Sequence, residues 1–234
     1  MKHPIVICGY GPGISQAVAR RFGAAGYPVA IIARNADRLA AGAETLRKDG
    51  IEAKALSADL TDGDELANVL AAIRASLGTV GILHWNAFSP VNGDLLSCRA
   101  ENLRRSLELR LVSFIAAVQA VFDDLKASQG AILATSGITA VDRPEINAFA
   151  VDYAVMAITV AAQHKALGIL APTLLPHGIH VAEVVVNGFI KGTEGVGGFR
   201  PERNDRPEGC CRVLLGLVRE QKPKLADTRG RYYR

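Results

Sequence analysis

Cysteine is scarce in this 234-residue chain: Cys8, Cys98, Cys210 and Cys211 have neither the spacing of metal ligands nor the density of a disulfide framework. No chemistry is assigned to them. Long apolar runs are missing too, none approaching the roughly 20 residues that a membrane-spanning helix needs. The first strand-like segment begins almost at once, which leaves no room for a signal peptide. The cytoplasm is the expected compartment, with no membrane partner. Charge of one sign is not concentrated either, since the net charge is +4 and the basic residues are dispersed apart from the final "RGRYYR". That ending reads as a frayed or docked tail, and no nucleic-acid partner is expected. Repeats, low-complexity tracts and linkers are absent, so residues 1–234 are expected to form a single domain.

What the chain does have is a regular alternation of short apolar runs and helical periodicities. "PIVIC" suits a strand covered on both faces, and Ile14, Val18, Phe22 and Ala25 follow at helical spacing until Gly26. "PVAIIA", a helix over 36–49 opened by Asn35, and "AKALSAD" repeat the unit. Leu66, Val69, Leu70, Ile73 and Leu77 then share one helical face before the strand "VGILHW". A long helix over 103–126, the strand "AILAT", a second long helix over 147–171 and the strand "IHVAEVVV" complete the series. Strand, helix, strand at this spacing requires parallel pairing with right-handed crossovers. The expected fold is α/β: a doubly wound parallel sheet, Rossmann-like, with helices on both faces.

The stretch "GYGPGIS" sits where the first strand feeds the first helix. A helix starting after a glycine turn aims free N–H groups and its positive dipole end at one point, which suits a diphosphate. The spacing G-x-G-x-x-G fails here because Ile14 stands where a third glycine should be, whereas G-x-x-x-G-x-G fits Gly9 and Gly13, with small Ser15 closing it and Gly11 between. That spacing resembles the short-chain dehydrogenase/reductase family. The resemblance continues in order along nearly the whole chain. Asp59, followed by Leu60 in "SADLTD", matches the family's adenine-contacting aspartate, and "WNAF" keeps Asn86 and Ala87 of its N-N-A-G turn. "PHGIHVAEVVVNGFI" is similar to its sixth strand and the loop beyond. The resemblance implies cofactor contacts from Gly9, Gly11, Gly13, Ile14, Asp59, Leu60, Asn86 and Ala87.

The choice of cofactor turns on the end of the second strand. An acid there would bond a free ribose 2′-hydroxyl, and a cation would pair with a 2′-phosphate. Ala33 occupies the acid's place and Arg34 follows. A guanidinium can hold a phosphate bidentately, so NADP is expected rather than NAD.

The family's chemistry, as the resemblance implies it, uses a tyrosine with a lysine four residues on, a serine after the fifth strand and an asparagine on the helix before it. Here Tyr153 is followed by Ala157, and the alternative register puts Met156 and Val160 at the paired positions. Lys165 lies 12 residues beyond Tyr153, about 18 Å along a helix. Ser136 stands one position before the family's serine, which falls on Gly137, so a slip or bulge would be needed to restore it. The asparagine position falls on Arg110. Tyr153, Ser136 and Arg110 are therefore the candidate catalytic residues, with Arg110 supplying Tyr153 the positive charge of the missing lysine. Each also has a plain reading: Tyr153 as a packing residue, Ser136 as a backbone-bonded hydroxyl, Arg110 as a solvated helix residue.

Two further expectations complete the reading. The glycine- and charge-rich segment 188–209, which follows a strand's carboxyl end, is expected to be a lid over the substrate. No charged residue occurs over 153–162, so that helix should be covered on both sides, implying a homodimer or homotetramer. The expected activity is NADP(H)-dependent carbonyl reduction or alcohol oxidation on a small-molecule substrate; the alternative is an NADP-binding sensor or scaffold without turnover.

Overall fold

The computed structural model describes residues 2–187 together with the backbone of Phe189–Ile190, Asn204–Asp205, Leu225–Asp227 and Tyr232–Tyr233. The expected lid over 188–209 lies outside the described residues, apart from the short pairing of Phe189–Ile190 with Asn204–Asp205.

The apolar runs become buried strands. These are β1 (Ile5–Cys8), β2 (Val29–Ala33), β3 (Ala53–Ser57), β4 (Ile82–Trp85), β5 (Ala131–Gly137) and β6 (His180–Val186). They pair in parallel in the order β3-β2-β1-β4-β5-β6, the doubly wound arrangement expected from the alternation. Beyond β6 lies Leu225–Asp227, parallel to it, and then Tyr232–Tyr233 as an antiparallel edge. Both sheet faces are packed. Phe22 of α1 (Ile14–Ala24) and Leu39 and Leu46 of α2 (Ala36–Lys48) cover one face. Leu66 and Leu70 of α3 (Gly63–Leu77) lie over the other with Trp85, Phe114 and Leu125.

Local chemistry sets the helix starts. Asn35 accepts the Arg38 N–H at 2.7 Å, and Asp62 accepts from the N–H groups of Asp64 and Glu65 at 2.9 and 3.0 Å, each satisfying donors that a helix leaves open.

Three expectations need correction. The helix expected over 103–126 is three pieces, α4 (Ala100–Leu107), α5 (Ser113–Ala120) and α6 (Phe122–Ser128), with one π-helical turn, Glu108–Val112, between the first two. The helix expected over 147–171 is split into α7 (Pro144–Ala150) and α8 (Ala154–Leu174). Tyr153 therefore lies before the helix rather than in it. The break is made by the β4–α4 loop: Gly93 donates to the Asp152 carbonyl at 2.8 Å and accepts from the Ala154 N–H at 3.3 Å, a strand-like bridge to Tyr153. Finally, Ala154–His177 is long and apolar enough, by length and composition, to cross a membrane. Its inner residues Val155, Val160, Leu167 and Leu174 are buried, and α8 packs on β5 and β6.

Candidate active site

The chain reverses its strand order between β1 and β4, and the crevice opens beyond their carboxyl ends. The glycine turn forms one wall. Gly9 has φ +84°, and a Cβ built on it would stand 2.5 Å from the Ala87 backbone. What excludes a side chain at Gly9 is thus the chain's own Asn86–Ala87 turn. A small network locks the two loops together: Ser15 Oγ donates to the Gly9 carbonyl at 2.8 Å, and Asn86 Nδ2 donates to Ser15 Oγ at 2.7 Å. The Asn86 N–H donates to the Cys8 carbonyl at 2.9 Å.

The cradle itself is open. A Cβ on Gly11 would meet nothing within 4 Å. Gly13, at φ +94°, starts α1 without a side-chain cap, so the first N–H groups of α1 face the same space unbonded by the helix. Buried Ile14 anchors that first turn in the core. These features fit a dinucleotide diphosphate. Sequence reasoning missed Tyr10, whose buried ring fills the place that a side chain on Gly42 would need, bracing the turn against α2.

At the far end of the crevice, half-buried Ala33 closes β2 and Arg34 is exposed. Among the described residues Arg34 has no salt-bridge partner. Asp59 accepts from the backbone N–H of Thr61 at 2.9 Å and from its hydroxyl at 2.8 Å. The Thr61 N–H foremost, with its hydroxyl and the Arg34 charge assisting, holds the Asp59 carboxyl below the usual carboxylate range. Leu60 is buried beneath it. A cation that makes no salt bridge among the described residues, beside a preformed carboxylate, suits a phosphorylated ribose and an adenine edge.

The three candidate catalytic residues are placed separately. Ser136 lies near the carboxyl end of β5, 5 % exposed, and its Oγ has no hydrogen-bond partner. The β5–β6 ladder runs through Ser136↔Val185 and Gly137↔Val186 in unbroken register. The bulge that would move a serine into the family's position is therefore not there. Tyr153 stacks on Phe149, with ring centroids 5.6 Å apart, at the Gly93 bridge. Arg110 sits in the π-helical turn and is buried, contrary to a solvated reading. Its Nη1 donates to Gln163 Oε1 at 3.0 Å, and its guanidinium lies 5.5 Å from the Phe88 ring centroid. Burial pushes the Arg110 pKa down to about 10, against the opposing charge of Glu183. No hydrogen bond joins Arg110 to Tyr153 or Ser136, so the expected direct pairing of Arg110 with Tyr153 is not made.

A profile of the short chain dehydrogenase family matches residues 3–199. The chain belongs to that family. A curated relative, the 3-oxoacyl-[acyl-carrier-protein] reductase of Staphylococcus epidermidis, is 26 % identical over 194 residues, covering 81 % of this chain and 76 % of the relative. The 1,2-dihydroxy-1,2-dihydronaphthalene dehydrogenase of Ralstonia sp is 27 % identical over 234 residues, covering 93 % of this chain and 83 % of the relative, while some other relatives match over shorter stretches, one over only 25 % of its own length. Among solved structures, an NADPH-bound short chain oxidoreductase of Pseudomonas aeruginosa with an atypical catalytic centre superposes with a TM-score of 0.83 at 20 % identity, covering 97 % of this chain and 96 % of that one. An alcohol dehydrogenase from the archaeon Thermococcus sibiricus, complexed with 5-hydroxy-NADP, gives 0.81 at 20 % identity, covering 100 % and 99 %. Over its described residues this short chain dehydrogenase thus has the fold of NAD(P)-dependent oxidoreductases.

Sequence reasoning also missed the residues beneath Arg110. Glu183 is 2 % exposed in the middle of β6, and His164 Nδ1 meets its Oε2 at 2.6 Å. The signal was present: an acid inside the apolar run "VAEVVV", and "QHK" inside an apolar helix.

Proposed function

We propose that the protein is an NADP(H)-dependent oxidoreductase that reduces a carbonyl or oxidises an alcohol, using an atypical site built from Ser136, Arg110 and Tyr153. One observation carries the reading: the open glycine cradle and the unpaired cation Arg34 stand at the two ends of one crevice in a short chain dehydrogenase. The N-terminus of α1 would hold the diphosphate, Arg34 the 2′-phosphate, Asp59 and Leu60 the adenine side, and Asn86 and Ala87 the nicotinamide-ribose side. When bound, the dinucleotide supplies the hydride. Ser136 Oγ, buried and without a partner, is free to donate to a substrate oxygen. Tyr153 has the one hydroxyl suited to proton transfer at the head of α8, and Arg110 places a cation beneath Phe88. The atypical centre named for the Pseudomonas relative of the same fold supports a family site that departs from the usual set.

Parallel titration with NADPH and NADH, followed by nicotinamide fluorescence, tests the cofactor half. Micromolar binding with NADPH preferred is expected; no binding of either removes the reading. Replacing Arg110 by Leu should abolish turnover of a carbonyl panel while leaving NADPH affinity in place, and unchanged turnover would sink the role of Arg110.

A second reading, an NADP-binding sensor without turnover, is favoured by one fact: among the described residues Tyr153 touches no cation, its partners being Phe149 and the Gly93 loop. NADPH binding with no turnover of any carbonyl or alcohol would select it. We also propose a homodimer or homotetramer formed through the outer face of α8 and its neighbours, where Val112, Val151, Ile158 and Ile169 are exposed. Light scattering that gives a monomer at micromolar concentration would overturn this.

A further inference from the structure

Among the described residues, one arginine and one carboxylic side chain are buried, Arg110 and Glu183, and both point into the layer between the sheet and α8. On β6 the alternation puts Glu183 with Val181 and Val185 on the α8 side, while His180, Ala182 and Val184 face the other way. A carboxylate in such a layer is costly unless paired and hydrogen-bonded. Glu183 uses only one oxygen: Oε2 meets His164 Nδ1 at 2.6 Å, and Oε1 has no partner. The neighbouring residue on α8, Gln163, holds Arg110 with its Oε1 and leaves its Nε2 without a partner. The same buried layer thus contains an unused acceptor and an unused donor between the two charges.

Two separate contact segments make up a broken line across this layer. One runs from Phe88, in the turn beside the cofactor cradle, to Arg110 in the π-helical turn and on to Gln163; the other joins Glu183 to His164, the next residue of α8, and the two segments meet through the charge of Glu183 acting on Arg110 rather than through a contact. The His164 side chain is 34 % exposed, so the far end of the line meets water. The bond to Glu183 raises the His164 pKa above its ordinary value, outweighing partial burial.

We propose that Arg110, Glu183 and His164 act as one charge relay, in which His164 at the surface sets the charge that Arg110 presents beneath the catalytic crevice. This deepens, and rests on, the oxidoreductase reading above. With His164 protonated, the three groups carry one net positive charge; with it neutral, they carry none. Carbonyl reduction builds negative charge on the substrate oxygen, so the protonated state favours it and the neutral state does so less. No proton travels along the line, and the effect acts through space. Glu183 and His164 are positioning residues, since neither lies at the crevice.

Among the described residues few other charges bear on His164. Lys165 follows it on α8. On α4, Glu101 is engaged by Arg104 and Arg105, and Glu108 belongs to the same turn as Arg110. His177, beyond the end of α8, stacks on Phe122, and His180 faces the opposite side of the sheet. β5 and the turn Ile138–Ala140 contribute no ionisable side chain.

The test combines an NMR titration of the His164 imidazole with the pH profile of NADPH-dependent carbonyl reduction. In the wild type, His164 is expected to titrate above 6.5. E183Q should bring it down, and R110Q should raise it further by removing a like charge. The kcat/KM for reduction should fall about tenfold as pH rises through the His164 titration, on the order of one unit charge acting through protein. H164Q should lose that step and stay at the high-pH value. A wild-type step retained in H164Q, or a His164 titration unmoved by both E183Q and R110Q, overturns the proposal. Should R110Q fail to fold, E183Q and H164Q carry the decision. NMR coupling without any turnover would instead overturn the oxidoreductase reading, and with it the catalytic consequence.

Discussion

Replacing Gly9 and Gly11 separately by alanine should break two different things. At Gly9 the new methyl carbon would lie 2.5 Å from both the Ala87 nitrogen and Cα, with φ at +84°. Ala87 cannot simply retreat, because its neighbour Asn86 is tied to the Cys8 carbonyl at 2.9 Å and to Ser15 Oγ at 2.7 Å. Left-handed backbone costs an alanine roughly 1–2 kcal/mol, and forcing packed backbone apart about 1–3 kcal/mol more. G9A should therefore lose about 2–5 kcal/mol, which for a domain of this size lowers Tm by roughly 4–20 °C. At Gly11 no atom stands within 4 Å of the added carbon and φ is not positive, so stability should change by less than about 0.5 kcal/mol. The added methyl would instead enter the space assigned to the diphosphate, and NADPH affinity should drop at least about tenfold, or ~1.4 kcal/mol. Urea denaturation followed by circular dichroism, with NADPH fluorescence titration on the same samples, separates the two effects. A G9A protein as stable as wild type would refute the wedge formed by Ala87. A G11A protein with normal affinity would refute the location of the cradle.

Other outcomes follow from the same geometry. Arg34→Ala should weaken NADPH at least about tenfold while leaving NADH little changed, because the lost partner is the 2′-phosphate; an equal loss for both dinucleotides would remove Arg34 as the specificity determinant. His84, buried with only a 3.2 Å contact to Thr135 Oγ1, has its pKa pushed down by burial to about 3, so the unfolded chain takes up its proton first as pH falls below 6.5. Its contribution destabilises progressively from pH 6.5 towards 3, and His84→Gln should recover ~3 kcal/mol at pH 4 relative to its effect at pH 7.5. His164 has the opposite sign: its raised pKa gives stability that is complete below 6.5 and is lost as pH rises through the folded value, so His164→Gln should cost stability at pH 5.5 and little at pH 9. Parallel acid-limb denaturation curves for His84→Gln and wild type would exclude the buried imidazole as their source.

Strand positions and helix starts were legible where a local signal decides them. "PIVIC" and "PVAIIA" are apolar on both faces and became buried parallel strands, and Asn35 began the helix it could cap. The break before α8 was not legible, because it is made from 60 residues away by Gly93 bonding to Asp152 and Ala154. Helical spacing predicts Tyr153 inside a helix; a strand-like bridge from a distant loop overrides that preference. The π-helical turn hid in the same way, since Arg110 is turned inward by a partner on another helix, Gln163. The one mark left in sequence was the acid in "VAEVVV", which contradicts the burial of every residue around it. A carboxylate is retained in such a strand only with partners; its bonded partner is His164 of α8, with the Arg110 charge of the π turn beyond it, the two elements that carry the positions matched to the family's asparagine, tyrosine and lysine. The residues proposed for the atypical site and the buried charge thus meet at one place, the layer between β6, α8 and Arg110. The cation that Tyr153 does not touch among the described residues is therefore proposed to act from there, in side chains that a search for a paired tyrosine and lysine passes over.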